Sequence, residues 1–388
     1  MSESAPSGSA SDVQDGADTL LSHEEPTSGV EPEDTESAEI QQPFNPSAIR
    51  MDVRTVSIDL LVKRLTNHEI DMAPPFQRKD GLWDDSDQSR LIESLMIRIP
   101  IPSFYFDARD DDRWVVVDGL QRLTVLKRFL VDKTLALTGL EFLTVYKDKR
   151  ASDLPRSMLR RIEETQVIVY LIQPGTPEEV KFNIFQRVNR GGLPLVAQEI
   201  RHALNQGPAA ELLLRLAASP EFLNATERSV SSDRMADREC VLRFLAFVHK
   251  NPKDYETSSF DGFLHQTMKE LNKLPNARLE ELDRRFRAAM RRAQDLLGRN
   301  AFRKVAPNGR RGPINKALLE AWSVNLDAQT APQLARLQER KELLLDRFKA
   351  ALQEPGFSDS ITQGTGEPFR VKLRFERIAT VIQETLAP

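Results

Sequence analysis

The sequence predicts an α+β protein, with a small mixed sheet and helices in the first part of the folded chain and helices alone after it. Short runs rich in β-branched and aromatic residues, typical of strands, occur at residues 103–107, 113–118 and 166–172. After residue 205, apolar residues recur only at helical spacing. These observations predict three parts: a disordered acidic tail at residues 1–48, a sheet-containing domain at 50–205, and an all-helical C-terminal domain at 206–388.

Composition places the chain among ordinary globular proteins. It has 388 residues, 40% of them hydrophobic, and no apolar run approaches the roughly 20 residues of a membrane span. The N-terminus shows neither the basic nor the apolar region of a secretory signal. The single cysteine, Cys240, excludes an intramolecular disulfide and fits a reducing compartment. We therefore expect a cytoplasmic protein without a membrane partner.

Charge is distributed unevenly along the chain. Residues 1–49 hold 11 Asp and Glu but no Lys or Arg, so the remainder carries 54 basic and 47 acidic residues. A mildly basic body is compatible with DNA or nucleotide as a partner. Because residues 1–48 have almost no large apolar side chains, they cannot offset the entropy of ordering. The tail would aid solubility or discourage nonspecific contact with nucleic acid.

A strand, a tight turn and a helix are predicted in direct succession at residues 115–130. Three valines precede Asp118 and Gly119, and glycine permits backbone angles that other residues resist. Leucine and phenylalanine then recur at helical spacing. The helix start would present unpaired N–H groups beside Asp118, Gln121 and Arg122, a natural site for phosphate. The alternative is an ordinary cap at Asp118 with Arg122 as a surface charge.

Several helices are expected around this unit. The first covers residues 57–65, and the second, capped by Asp85 or Ser86, ends near Arg98. A third begins at Pro155. The sequence Thr-Pro-Glu-Glu at 176–179 starts another, which ends at the Asn-Arg-Gly-Gly sequence at 189–192.

An acidic cluster at Asp107, Asp110, Asp111 and Asp112 falls in the predicted hairpin turn between residues 107 and 113. The spacing, the glycine and the distal glutamate of a calcium loop are missing here. The interpretation as a solvated turn is therefore preferred over a metal site.

Several separated pieces together resemble one family. They are Phe-Gln-Arg at 76–78 with Trp83, Leu-Ile-Glu-Ser at 91–94 with Ile-Pro-Ile-Pro at 99–102, residues 117–123, residues 185–192 and Glu-Ile-Arg at 199–201. Their order and spacing resemble the N-terminal domain of GmrSD-type modification-dependent restriction enzymes, which carries an Asp-Gly-Gln-Gln-Arg motif. The family belongs with ParB and sulfiredoxin-like folds, and the resemblance covers roughly residues 55–205.

The resemblance implies a nucleotide-binding, NTP-hydrolysing domain in prokaryotic defence against foreign or modified DNA, including phage. Asp118, Gly119, Gln121 and Arg122 match the motif. Leu120 stands where the family usually has Gln, which puts hydrolysis in doubt while leaving binding intact. The flanking signatures match at a further set of positions: Gln77, Arg78, Asn189, Gly191 or Gly192, Glu199 and Arg201.

The chemistry of these residues agrees in kind with that implication. Arginines such as Arg78, Arg122 and Arg201 are planar forks suited to phosphate. Asp118 would hold Mg²⁺, whose sites commonly use one or two carboxylates plus the phosphates of an NTP. Asp118 or Glu199 would otherwise orient a water. The alternative for Glu199 and Arg201 is an ordinary exposed helix face.

Other functions are weighed on what the sequence lacks. It has no P-loop motif, no clustered Cys and His for zinc, and no histidine after His265, so neither a P-loop NTPase nor the family's C-terminal HNH-type nuclease is expected. Cys240 lies in an apolar helix, which disfavours sulfiredoxin-type thiol chemistry. Two alternatives remain. One is a non-catalytic adaptor or DNA-binding protein with a degraded nucleotide pocket, whose helical region holds a protein partner or a second copy. The other is direct nicking of DNA.

Overall fold

The computed structural model describes residues 29–32, 49–72, 83–108, 113–188, 196–257 and 259–388. It is an α+β structure, with a five-stranded mixed sheet and helices followed by a largely helical region, as the sequence predicts. The tail predicted at residues 1–48 lies outside the described residues, apart from residues 29–32 and their contacts. The boundaries between the three predicted parts stay a prediction.

The main sheet has the strand order β1-β5-β3-β4-β2. Its pairings are antiparallel between β1 and β5, parallel between β5 and β3, antiparallel between β3 and β4, and parallel between β4 and β2. The strands are β1 (Met51–Ser57), β2 (Ile70–Asp71), β3 (Phe104–Ala108), β4 (Trp114–Asp118) and β5 (Gln166–Ile172). The predicted hairpin and third strand are thus confirmed, whereas β1 and β2 were not predicted.

Four helices cover one face of this sheet. Leu61, Leu95, Leu126 and Ile162, one from each helix, are buried against the face that presents Phe106. Each helix carries an apolar stripe that can be buried only against another element. The helices are α1 (Ile58–Thr66), α2 (Asp85–Met96), α3 (Leu120–Leu126) and α4 (Arg156–Glu163). The cap of α2 is Asp84, which accepts from the N–H of Asp87, rather than the predicted Asp85 or Ser86.

Two further helices, α5 (Glu178–Val188) and α6 (Ala197–Leu204), pack on the opposite face. A small apolar cluster joins them to the sheet: Val117, Ile172, Phe185 and Ile200. Beside this cluster, the Lys181 ammonium on α5 donates to the buried Asp107 carboxylate on β3 over 2.7 Å. Asp107 is therefore a paired core carboxylate, while Asp110, Asp111 and Asp112 lie outside the described residues.

In the described residues after 205, ten α-helices and one hairpin build a second, larger core. The hairpin corrects the prediction of an all-helical region: β6 (Arg303–Val305) pairs with β7 (Arg311–Ile314). None of the described helices is long and apolar enough to cross a membrane. The ten helices are α7 (Pro208–Ala217), α8 (Pro220–Ala225), α9 (Ala236–His249), α10 (Phe260–Leu271), α11 (Asn276–Leu297), α12 (Lys316–Asp327), α13 (Ala331–Glu339), α14 (Lys341–Leu352), α15 (Pro355–Ser360) and α16 (Pro368–Leu386).

Helix α3 changes its geometry after two turns. Residues Lys127–Val131 continue the same helix as a π-helix, in which the N–H of Asp132 donates to the carbonyl of Lys127 over 2.9 Å. Phe129, within this segment, is fully buried in the sheet core. The packing of Phe129 against the sheet core therefore holds the π-helical turns in place.

A carboxylate organises the loop that follows the π-helix. Glu93 on α2 is buried and accepts three backbone N–H bonds, from Glu141, Phe142 and Leu143, at 2.6–2.9 Å. Burial raises the pKa of the Glu93 carboxyl, but the three N–H donors and nearby Arg90 together bring it below its ordinary value. The ionised form of Glu93 is the one that holds the loop.

We predict that Glu93→Ala lowers the free energy of unfolding by about 2–4 kcal/mol, because three backbone donors lose a charged acceptor. Since the pKa of Glu93 is depressed in the folded state, this contribution is present above the ordinary value of 4.5 and is lost as the pH falls through the folded pKa. Urea unfolding at pH 7 and at acidic pH measures both effects, with Glu211→Ala, on the exposed surface of α7, as the control. Wild-type stability in Glu93→Ala would contradict the assignment.

Candidate functional site

The turn between β4 and α3 is built around Gly119. This residue caps α3 with a φ of +100° and a ψ of 10°, a left-handed conformation that strains any residue with a side chain. A methyl group placed there would also collide with the Phe104 ring, with Cε1 only 3.0 Å away. The cap offers no side-chain acceptor. The first-turn N–H groups of α3 thus depend on partners other than a capping side chain, as in helix starts that bind anions.

Arg122 is buried immediately behind this turn, with 7% of its surface exposed. Its guanidinium donates to the carbonyls of Pro102 and Ser103 and, over 2.8 Å, to the Asp118 carboxylate. It also lies 4.8 Å from the centre of the Phe104 ring, an arrangement that favours a cation. Burial lowers the pKa of Arg122, and Asp118 opposes that shift. These contacts overturn the alternative of a surface charge, since the buried Arg122 side chain fixes the turn, and the cap of α3 is Gly119 rather than Asp118.

Asp118 and Gln121 face different neighbours. The Asp118 side chain stays 32% exposed even though one of its oxygens pairs with Arg122. The Gln121 side-chain oxygen accepts from the backbone N–H of Trp83 over 3.1 Å. Gln88 holds the other side of Trp83 by donating to its carbonyl over 2.7 Å. Trp83, which directly follows residues 73–82, is therefore bound to the turn. Gln77 and Arg78 belong to residues 73–82 and lie outside the described residues.

Glu199 and Arg201 occupy α6 and are buried, which overturns the alternative of an exposed helix face. The Glu199 carboxylate accepts from the N–H of Val196 over 2.9 Å and pairs with Arg234 at 3.3 Å. It thereby closes the first turn of its own helix. Asn189, Gly191 and Gly192 lie outside the described residues, so the structure does not locate them relative to these two side chains.

Arg201 reaches away from the sheet into the helical region. It donates to Gln198 over 2.8 Å and to Asp261 on α10 over 2.6 Å, and it lies 3.7 Å from the Glu239 carboxylate on α9. Burial alone would raise the pKa of the Glu239 carboxyl, but the nearby cations Lys316, Arg243 and Arg201 outweigh burial and bring the pKa well below its ordinary value. Glu239 is therefore ionised. The sequence offered no signal for these pairs, because Asp261 and Glu239 lie far along the chain.

Ile200, between those two residues, connects α6 to the turn. Its side chain packs with Val117, the residue that precedes Asp118. The structure therefore brings Asp118, Gly119, Gln121 and Arg122 together in one turn and places α6 behind the strand that leads into it. The charged groups of α6 have partners of their own.

Comparison with protein families identifies this segment. The family model described as GmrSD restriction endonuclease, N-terminal domain, matches residues 59–205. Residues 59–205 form a GmrSD-type N-terminal domain. The match begins in α1 and ends directly after α6, so it contains the whole turn. No curated protein and no solved structure matches the chain.

The GmrSD-type domain departs from its motif at Leu120, and the structure shows what that residue does. Leu120 is partly buried and packs against the core of the sheet.

Among the residues that the structure describes, no group of three or more His, Cys, Asp and Glu could hold a metal ion. Cys240 is fully buried, and burial raises the pKa of its thiol to about 12, so it is no nucleophile at neutral pH.

We predict that Gly119→Ala destabilises the GmrSD-type domain more than Gly309→Ala destabilises the hairpin. Both glycines have positive φ, but the space around Gly309 is open, so only Gly119→Ala meets a ring. The difference should be about 1–3 kcal/mol, the usual cost of overpacking. Urea unfolding of the two variants measures it. Equal losses would show that the Phe104 contact is unimportant.

Arg122→Ala should lower the free energy of unfolding by about 2–4 kcal/mol, because two backbone carbonyls and a carboxylate lose a buried charged donor. Arg122→Lys should restore less than half of that loss, since an ammonium cannot reproduce the planar fork. Arg128→Ala, six residues further along and more exposed, is the control. An Arg122→Ala protein with wild-type stability and no nucleotide binding would instead place Arg122 on the ligand.

Proposed function

We propose that the protein is a restriction-related factor whose GmrSD-type domain binds a nucleotide at the turn between β4 and α3. The observation that carries the proposal is the turn itself: a helix start without a capping side chain, beside a partly exposed carboxylate and held in place by a buried arginine. Helix starts of this kind attract phosphate because their N–H groups and dipole favour an anion.

The contacts suggest a division of roles among the motif residues. The backbone at Gly119 and the following residues would receive a phosphate, while Arg122, with its guanidinium bound to Pro102, Ser103 and Asp118, would set the geometry of the turn. Gln121 would keep the segment that carries Gln77 and Arg78 close to the ligand through Trp83. This assignment makes Arg122 a positioning residue, while the phosphate-binding role of Arg78, which lies outside the described residues, stays a prediction from the sequence.

Mg²⁺ would reach this site together with the nucleotide. The partly exposed Asp118 carboxylate fits a cation that takes one or two protein carboxylates and completes its shell with phosphates and water. When bound, the ion would neutralise charge on the phosphates. Glu199 is closed into its own helix turn and paired with Arg234, an arrangement that favours a structural role over the orientation of a water.

A second candidate is a non-catalytic adaptor that binds nucleotide without turning it over. Leu120 favours it, because the position at which the family usually has Gln contributes here to packing of the core. Both proposals include DNA as a partner and a protein partner for the helical region. The two differ only in hydrolysis.

Asp118→Asn should weaken nucleotide binding in the presence of Mg²⁺ by about tenfold or more, because a charged ligand to the ion becomes neutral. Without Mg²⁺, the same variant should bind as well as wild type or better, since a negative charge near the phosphates has been removed. Calorimetric titration with each NTP, with and without Mg²⁺, measures this pair of effects. Asp59→Asn, on the exposed surface of α1, is the matched control.

Phosphate release from each NTP, with and without DNA, separates the enzyme from the adaptor. Turnover that Asp118→Ala abolishes would exclude the adaptor, whereas binding without turnover would support it. If no nucleotide binds to a folded wild-type protein, the site assignment is wrong. Binding that Asp118→Asn leaves unchanged with Mg²⁺ would remove Asp118 from the site.

A further inference from the structure

A short N-terminal segment is bound to the hairpin of the helical region, almost 300 residues away along the chain. Val30 forms a parallel bridge with Ile314 on β7. The N–H of Glu31 donates to the Ile314 carbonyl over 2.8 Å, and the N–H of Ile314 donates to the Gly29 carbonyl over 3.0 Å. Residues 29–31 therefore extend the hairpin by one short strand, and Pro32, which has no N–H, stops the pairing.

The side chain of Glu31 enters a site formed by two different elements, the strand β6 and the N-terminus of α12. Its two oxygens accept from Lys304 on β6 over 2.6 Å and from Asn315 over 2.9 Å. Asn315 also caps α12 by accepting from the N–H of Leu318 over 2.8 Å. The carboxylate thus lies at the N-terminus of a 12-residue helix, where the helix dipole favours a negative charge.

The partners of Glu31 are held in place by bonds of their own. Asn315 is 1% exposed and donates to the Ile361 carbonyl over 2.7 Å, while Lys304 donates to the hydroxyl of Thr362 over 2.8 Å. Val30, next to Glu31, packs on the core of the helical region. Backbone pairing, an apolar anchor and a carboxylate site together are the parts of a peptide-recognition surface.

We propose that the edge of β7 that faces away from β6, with Lys304 and Asn315, is a peptide-binding site whose resident ligand is the chain's own segment Gly29-Val30-Glu31-Pro32. The ligand class is an extended peptide with a β-branched residue followed by glutamate. The hairpin beside the docked segment carries four basic residues, Arg303, Lys304, Arg310 and Arg311, which suit an acidic peptide. A competing peptide must displace this segment before it can bind.

The test uses a fluorescein-labelled peptide of residues 27–34 and the full-length protein. In wild type, the tethered segment competes at high effective concentration, so the peptide should bind weakly. The double variant V30D/E31K should vacate the site and bind the peptide at least tenfold more tightly. V13D/E24K, which makes the same changes in residues 1–28, should behave like wild type.

A charge exchange provides the second arm. In V30D/E31K protein that also carries Lys304→Glu, the wild-type peptide should lose affinity, and a peptide with lysine in place of Glu31 should regain part of it. Equal peptide binding by wild type and V30D/E31K, or binding by neither, would overturn the proposal. So would a wild-type dimer that becomes a monomer in V30D/E31K, because the segment would then serve a second copy of the chain.

Discussion

The buried guanidinium of Arg201 is the interaction on which the joining of the two regions depends. A fully buried cation is costly unless carboxylates and hydrogen-bond acceptors surround it. Arg201 finds them in Asp261 and Glu239, both in the helical region, although Arg201 itself belongs to the GmrSD-type domain. On the other side of α6, Ile200 packs behind Val117, which leads into the turn. One short helix therefore connects the candidate site with the helical region.

The candidate site illustrates how a motif can divide into residues that face a ligand and residues that build the place for it. Phe104 lies against both Gly119 and the guanidinium of Arg122, so its ring fixes the glycine and the arginine at once. The carbonyls of Pro102 and Ser103 complete the enclosure of Arg122. Asp118 is left as the partly exposed charged group of this arrangement.

Much of the fold follows from local patterns in the sequence, and the differences have physical causes. Strand β5 and the hairpin of β3 and β4 are apolar runs, which local pattern detects. β1 alternates apolar and polar residues, but its outward face, with Val53 56% exposed, gives it no strongly apolar run. β2 has two residues, too few for any period. β6 and β7 are rich in Arg and Lys, although Asn308-Gly309 between them is a known hairpin signal.

The site was predictable as a set of residues and not as a set of contacts. The turn at Asp118 and Gly119 follows from glycine's conformational freedom, and its position between strand and helix was predicted correctly. The partners of Arg122 come from a segment 19 and 20 residues earlier, and Asp261 lies 60 residues after Arg201. No periodicity in the sequence encodes such pairings. These long-range pairings decide whether an arginine faces a ligand or the protein interior.

The π-helical end of α3 bears on how this domain should be aligned with other GmrSD-type N-terminal domains. A π-turn spans five residues where an α-turn spans four, so Lys127–Val131 accommodates one residue more than the same length of α-helix. A relative lacking that residue could keep the turn at Gly119 and the buried Leu123 unchanged and differ only beyond Leu126. Sequences should therefore be aligned on the glycine at the start of the helix. A difference of one residue in length is then expected near Phe129.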